Sequence, residues 1–153
     1  MADFNQFGEK TPGVVIFKSE SHKLHQAFPV KTNEKIIQGQ PVVLNEDGTI
    51  QGFKSTDTLS KIIGWAATNS ENPAYQASRQ HGPVDVTVMV RGYAIVYGVS
   101  KAALGSVLVK PTGSLDTTKR FTEYEAAVPG DAVTAINLTP ASGAGELIQI
   151  LIL

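Results

Sequence analysis

Strict alternation along the chain is its clearest pattern. Every second position from residue 84 to residue 90 is a valine, with Asp85 and Thr87 among the residues between them. A period of two places the valines on one face of a β-strand and argues against a helix. A second apolar run, residues 93–97, follows Arg91 and Gly92. Because a glycine inside a β pattern marks a bulge or a bend, we expect either two short strands or one bent strand here.

Further short apolar runs are bounded by glycine, proline or Asx residues, which predicts more strands. These runs are residues 14–17, 41–44, 49–53, 61–67, 107–110, 132–136 and 146–153. Residues 45–48 predict a tight hairpin turn, since Asp47 and Gly48 tolerate positive φ values. Helical turns are expected only at residues 73–80 and 100–104. The pattern therefore predicts an all-β barrel or sandwich with little helix.

The two halves of the chain are similar to each other. Residues 38–50 align with residues 104–115, and each segment has the pattern of a strand, a turn and a strand. Residues 63–69 align with residues 133–139, and residues 84–90 with residues 146–152. We therefore predict a β domain with internally similar halves.

Residues 1–34 differ from residues 35–153, which form the predicted β domain. Four of the six phenylalanines lie in this N-terminal segment, separated by polar and turn residues without a regular period. Such spacing suits an extended arm that places one apolar side chain at a time in the pockets of a partner. The predicted arm contacts are Phe4, Phe7, Val15, Phe17 and Phe28. The alternative is an N-terminal strand that packs on its own barrel.

Composition excludes several classes of function. Cysteine is absent, which removes disulfides, thiolate metal sites and a cysteine nucleophile. The formal net charge is -1, and the basic residues are scattered rather than clustered, so nucleic acid is not an expected partner. The first residues lack a secretion signal, and no apolar run approaches the length of a membrane span, so we expect synthesis in the cytoplasm and no membrane partner.

Histidine chemistry is weakly supported. His22 and His25 form a His-x-x-His pair near Glu20, but the segment does not have a helical pattern and no third metal ligand is specified. His81 could partner Ser78 or Ser100, yet no Gly-x-Ser-x-Gly pattern surrounds either serine. We therefore expect solvated histidines and neither a metal nor a cofactor.

Carboxylates are the remaining candidates for catalysis. A pair of them could act as acid and base in a glycosidase. They fall instead on predicted turns and outward strand positions, where a β domain keeps its charge. These carboxylates are Asp85, Asp116, Glu123, Glu125 and Asp131. The single tryptophan, Trp65, lies in an apolar strand and is expected in the core rather than at an interface. No catalytic residue is predicted.

Three motifs together carry a family resemblance. They are the strand Ile-Ile-Gly-Trp-Ala at residues 62–66, the alternating valines before Arg91-Gly92, and the C-terminal sequence Gly-Ala-Gly-Glu-Leu-Ile-Gln-Ile-Leu-Ile at residues 143–152. Over residues 35–153 the chain resembles the decoration, or cement, proteins of bacteriophage capsids. The resemblance implies a β-barrel or β-tulip domain that forms a trimer at three-fold or quasi-three-fold positions outside the shell. It also implies that an arm reaches over neighbouring subunits of the major capsid protein.

The function implied by this resemblance is mechanical and non-enzymatic: the virion protein would stabilise the capsid against the pressure of packed DNA. The expected trimer interface uses Val88, Val90, Tyr93, Tyr97 and Ile150. Two alternatives remain open. The sequence Arg91-Gly92-Tyr93 is similar to a uracil-pocket motif of trimeric β-barrel nucleotide hydrolases. A carbohydrate- or surface-binding module of a tail or fibre would instead group exposed aromatic residues on one face of the β domain.

Overall fold

The computed structural model describes residues 24–70, 85–91, 94–132 and 135–153. This part of the chain is all-β, as the sequence predicts, and its only helical element is a 3-10 turn at Leu59–Lys61. The strands are β1 (Leu24–Pro29), β2 (Pro41–Leu44), β3 (Ile50–Gly52), β4 (Ile62–Ala66), β5 (Asp85–Arg91), β6 (Ala94–Ser100), β7 (Val109–Leu115), β8 (Thr122–Ala126), β9 (Ala135–Asn137) and β10 (Leu147–Ile152).

The first half of the chain forms one five-stranded sheet in the order β1-β5-β4-β2-β3, with antiparallel pairing throughout. The two edge strands also meet. Val30, just after β1, forms a parallel bridge with Ile50 on β3, and the backbone N–H of Lys31 donates to the Ile50 carbonyl at 2.9 Å. The sheet therefore curls until its edges touch at one point.

The second half forms a five-stranded sheet in the order β7-β8-β6-β10-β9. The β6–β8 pair is parallel and the other pairs are antiparallel. Leu108, just before β7, forms an antiparallel bridge with Ile136 on β9, so this sheet also curls until its edges touch.

If each closing bridge is treated as a contact between neighbouring strands, the two halves have the same cyclic strand order. If the strands of each half are numbered one to five along the chain, both rings read 1-5-4-2-3, and the contact between strands 3 and 1 is parallel in both. The equivalent strands are β1 and β6, β2 and β7, β3 and β8, β4 and β9, and β5 and β10. The predicted similarity of the halves is confirmed, and the segments aligned in sequence contribute to three of these equivalent pairs.

Each half has its own apolar core. Val42, Val86 and Val88 are fully buried in the first core, and Tyr124 and Ile150 are fully buried in the second. A third cluster lies between the halves, where Trp65 and Met89 of the first sheet pack with Ile152 of the second. We call this cluster the seam. Trp65 is only 5% exposed, as expected for a core residue.

The structure corrects part of the predicted trimer interface. Val88 and Ile150 are buried in the chain's own cores, and Val90 packs against the first core. The alternation correctly shows which face of a strand is buried, but it does not distinguish the chain's own core from a partner. Tyr97 is 52% exposed and stays available, while Tyr93 lies outside the described residues.

The arm prediction is wrong for the part of residues 1–34 that the structure describes, and the alternative of a packed strand holds there. Strand β1 pairs with β5, and Phe28 packs against the first core. The predicted contacts Phe4, Phe7, Val15 and Phe17 lie outside the described residues.

Two further predictions have outcomes in the described chain. The predicted helical turn at residues 100–104 is wrong, because Ser100 ends β6 and Leu104 forms a bridge with Ala141. The segment at residues 73–80 lies outside the described residues. The apolar runs on either side of Gly92 form two strands in different sheets, and β8 was not predicted.

Candidate functional site

A buried hydrogen bond crosses the seam. The indole N–H of Trp65, on β4, donates to the phenol oxygen of Tyr124, on β8, at 2.9 Å. Tyr124 is fully buried, and this burial raises the pKa of its phenol. The phenol therefore stays neutral and accepts the indole N–H, which satisfies a polar group that would otherwise be costly to bury.

Two glycines make this close packing possible. A Cβ at Gly64 would lie 2.2 Å from the carbonyl oxygen of Met89, so β4 and β5 approach each other only because that position has no side chain. A Cβ at Gly98 would lie 2.6 Å from the ring of Tyr124. The Tyr124 ring thus packs directly against the backbone of β6 at Gly98.

A cleft of about 460 Å³ opens between the halves beside Trp65. The first half contributes His25, Trp65 and Met89 to its wall, and the second half contributes a wall that includes Ile95 and Tyr97. Arg120 and Phe121, which precede β8, also line the cleft. A smaller cleft of about 280 Å³ lies on another side of Trp65, against Val109 and Ala135.

The candidate nucleophile Ser100 has a structural role. Its side chain is buried, its hydroxyl donates to the Gly143 carbonyl at 2.6 Å, and it accepts the Glu146 backbone N–H at 3.2 Å. Ser100 therefore fastens the loop before β10. Its proposed partner His81, and Ser78, lie outside the described residues.

The candidate carboxylates are engaged in local contacts. Asp116 accepts hydrogen bonds from the hydroxyl of Thr118 and from the backbone N–H groups of Arg120 and Phe121. These bonds, with Thr118 first, lower the pKa of Asp116 to about 2, against an ordinary 3.8. Glu123 accepts from Thr112, Glu125 pairs with Lys101 at 2.9 Å, and Asp131 pairs with Lys110 at 3.0 Å; Asp85 lies opposite Pro29 in the β1–β5 ladder. Such contacts fix turns and strand surfaces.

Potential metal ligands do not cluster in the described residues. No group of three or more His, Asp or Glu side chains in that part of the chain could hold a metal ion. His25 is exposed on β1, whereas His22 and Glu20 lie outside the description. None of the described helical structure is long and apolar enough to cross a bilayer. The Arg91-Gly92-Tyr93 motif is described only at the backbone of Arg91, which ends β5.

The most extensive unusual feature is an apolar surface on the second sheet. Ile95 pairs with Leu151, Leu151 pairs with Ile136, and Ile136 forms the bridge with Leu108. Directly opposite residues point to the same side of a sheet, so these four side chains form one row across β6, β10, β9 and the residue before β7. With strands about 4.8 Å apart, the row is about 14 Å long.

Neighbouring rows extend this surface. Tyr97 lies opposite Gln149, which accepts the backbone N–H of Leu138, and Leu147 lies opposite Val99. We define the outer face as Ile95, Tyr97, Leu108, Ile136, Leu138, Leu147 and Leu151. Five of these are between 41% and 56% exposed, and Ile136 and Leu151 are half-buried. Because Ile95 and Tyr97 also line the large cleft, the cleft and the outer face form one continuous surface.

No protein-family model matches the chain. No curated protein matches it either. Contiguous exposed apolar side chains are a common feature of surfaces that bind another molecule.

The sequence predicted one residue of the outer face, Tyr97, at an interface, and it carries a further signal for this face in the last strand. In residues 147–153 only Gln149 is polar, so this strand is apolar on both of its sides. A strand in a two-layer fold with one wet side should alternate, whereas a continuous apolar run is typical of a strand covered on both faces. The continuous run therefore indicates a second cover in addition to the chain's own core.

Proposed function

We propose that this protein is a non-enzymatic structural protein of a phage virion, which binds the outside of the capsid and stabilises it. In this role it acts as a trimer at three-fold or quasi-three-fold positions and contacts the major capsid protein. The outer face is the observation that supports the proposal. It is an extended apolar surface, and a partner that covers it removes apolar area from water, which stabilises the complex.

The physical basis is cumulative contact area. Each square ångström of apolar surface removed from water contributes about 25 cal/mol. A protein that bridges adjacent capsomers adds contacts that must break before the shell can expand or rupture. Many copies on one shell sum weak individual contacts into high avidity. Outward pressure from packed DNA then acts against all of these contacts together.

The polar groups of the described chain support a structural role. Ser100, Asp116 and Asp131 each hold a turn or loop in place. Lys110 and Lys101 are paired with neighbouring carboxylates on strand surfaces. The resemblance over residues 35–153 to capsid decoration proteins adds the identity of the partner.

The direct test mixes purified protein with undecorated, expanded capsids. We expect saturable binding in multiples of three copies per three-fold position and a higher melting temperature of the decorated shell. Absence of binding at saturating protein concentration contradicts the proposal. In a second experiment, removal of residues 2–18 should weaken capsid binding while the melting temperature of the free protein stays unchanged. Equal binding by the truncated chain would contradict the prediction that this segment is a capsid-binding arm.

One observation favours a carbohydrate- or surface-binding module as the second candidate. The cleft is lined by Tyr97 and Phe121, whose rings could contact a sugar, beside Trp65. Trp65 is only 5% exposed, however, and the surface that continues from the cleft is mostly aliphatic. Aliphatic side chains suit a protein partner better than a glycan. Binding to an immobilised glycan panel, abolished by Tyr97→Ala, would favour this second candidate.

A further inference from the structure

Equivalent positions in the two halves are covered very differently. In the first half, Trp65 pairs with Met89, and these residues are 5% and 7% exposed. Leu151 is the residue aligned with Met89, and its partner on β9 is Ile136, as the partner of Met89 on β4 is Trp65. The strand register therefore makes Ile136 the structural equivalent of Trp65, one residue beyond the position that the sequence alignment gives. The second pair belongs to the outer face and is half-buried.

The cover on the first pair comes from the second half of the same chain. Ile152, Ala94 and Val96 pack on Trp65 and Met89 in the seam. Ile152 and Ala94 are directly paired at one end of the β6–β10 ladder. The contact therefore joins a sheet face of one half to the strand ends of the other.

This contact is not reciprocal. If the two halves covered each other in the same way, Leu108 would be as buried as Pro41, because Leu108 bridges Ile136 as Pro41 pairs with Trp65. Pro41 is fully buried, whereas Leu108 is 50% exposed. When two similar units are joined through two different surfaces, one copy of each surface remains uncovered, one on each unit. Within the described residues, the seam joins one pair of surfaces, and the outer face of the second half has no equivalent cover.

The unused strand ends can be identified by the same equivalence. Val90 follows Met89 as Ile152 follows Leu151, and Leu24 precedes His25 as Ala94 precedes Ile95. A register shift between Leu24 and His25 pairs Leu24 with Arg91 rather than with Val90. Leu24 and Val90 are half-buried at the end of the β1–β5 ladder, and the buried part of Val90 packs against the first core. They are the apolar strand-end residues that correspond to those already packed in the seam.

We infer that a second copy of this chain covers the outer face, with the strand end around Leu24 and Val90 of its first half. The inference rests on the proposed assembly function and names its self-contact. The partner is the same chain because the surface required is the equivalent of one that this chain already carries. A head-to-tail contact of this kind repeats from copy to copy and closes when the rotation returns to the first copy.

The experiment measures self-association of the full chain without capsids, by sedimentation velocity and light scattering at several protein concentrations. Ile95→Lys and Leu108→Lys place a charge on the outer face, and Leu44→Lys is the matched control on an exposed strand position of the first sheet, 43% exposed in the parent. We expect a closed oligomer for the parent and the control. Each face variant should raise the dissociation constant about 100-fold or more.

A mixing experiment tests the head-to-tail geometry. Ile95→Lys keeps an intact strand end, and Leu24→Lys keeps an intact outer face, so each should be monomeric alone. Their equimolar mixture should form a dimer that grows no further, because only one productive contact is possible. Thermal melts confirm that each variant is folded.

Three results overturn the inference. They are a parent that is monomeric at about 100 μM, face variants that assemble like the parent, and a mixture that stays monomeric. Capsid binding by a monomeric parent overturns the inference and leaves the proposed function standing. A parent that forms closed oligomers but does not bind capsids supports the inference and contradicts the proposed function.

Discussion

Trp65 and Tyr124 join the two halves of this protein through one buried hydrogen bond of 2.9 Å. Trp65 belongs to the seam and Tyr124 to the second core, so this bond connects the polar atoms of two otherwise apolar clusters. Each half has its own core, and the seam makes the stability of one half depend on the other. We therefore expect the halves to unfold in a single transition.

Replacing Tyr124 with phenylalanine tests this bond. Tyr124→Phe keeps the ring against Gly98 and removes the acceptor of the indole N–H, which is left buried without a partner. We expect a loss of about 1–3 kcal/mol in the free energy of unfolding. Urea titration followed by tryptophan fluorescence measures it. Tyr97→Phe removes an exposed hydroxyl and should leave the midpoint unchanged; an equal loss in both variants would show that the bond contributes nothing.

The backbone approach at Gly64 gives a second prediction. Gly64→Ala directs a Cβ at the Met89 carbonyl, so β4 and β5 must separate and disturb the seam. Overpacking of this kind costs about 1–3 kcal/mol or more. Gly105→Ala is the control, because its Cβ would meet nothing within 4 Å. Melting temperatures of both variants give the comparison, and a Gly64→Ala protein as stable as the control would contradict the described packing.

Asp116 predicts a specific acid response. Its folded-state pKa of about 2 is below the ordinary 3.8, so it stabilises the fold fully above about pH 4, and the contribution is lost as the pH falls through about 2. Asp116→Asn removes this titration, so its unfolding midpoint should fall less between pH 4 and pH 2 than that of the parent. Thr118→Val removes the largest cause of the low pKa and should give an intermediate slope. Parallel pH profiles for all three proteins would contradict the lowered pKa of Asp116 as a source of acid stability.

Asn137 offers a test in the second core. It is fully buried, its amide donates to the Gly105 carbonyl at 2.8 Å, and its side-chain oxygen accepts the Thr139 N–H at 3.2 Å. Asn137→Asp places a carboxylate opposite that carbonyl, which should cost about 3–5 kcal/mol at neutral pH.

Acid should relieve the defect, because burial raises the pKa of the introduced carboxyl and its protonated form can donate again. Urea midpoints at pH 7 and pH 5 measure this recovery. Asn69→Asp is the matched control, since Asn69 is exposed and its oxygen only accepts the Gln38 N–H. A variant at residue 137 that loses no more stability than the control would show that the amide donor is dispensable.

The fold was largely predictable where one side of a strand is buried. The alternating valines of β5 and the aligned segments in the two halves indicated the sheet faces and the repeat, because burial leaves a period of two in the sequence. Strand β8 was missed because Tyr124 is its only large apolar side chain. Strand β1 was missed because its residues 25–27 are exposed and carry no apolar pattern.

The candidate site was harder to predict than the fold. Val88 and Ile150 were placed at an interface because a single sequence shows that a side chain avoids water but not which molecule covers it. The outer face depends on a register that joins residues distant in sequence, such as Leu108 and Ile136. Only the folded structure sets that register, and it leaves Ile136 and Leu151 half-buried where Trp65 and Met89 are buried.

The position of the last strand in each half also sets an order of events on the ribosome. Strand β5 lies between β1 and β4, and β10 lies between β6 and β9, so neither ring can close before its final strand emerges. The first ring can close once Arg91 is out, while the second waits for Ile152. At about 5–20 residues per second the nascent chain spends several seconds in between. During that interval the second half cannot yet cover Trp65 and Met89, so the first half carries an exposed apolar surface until synthesis is almost finished.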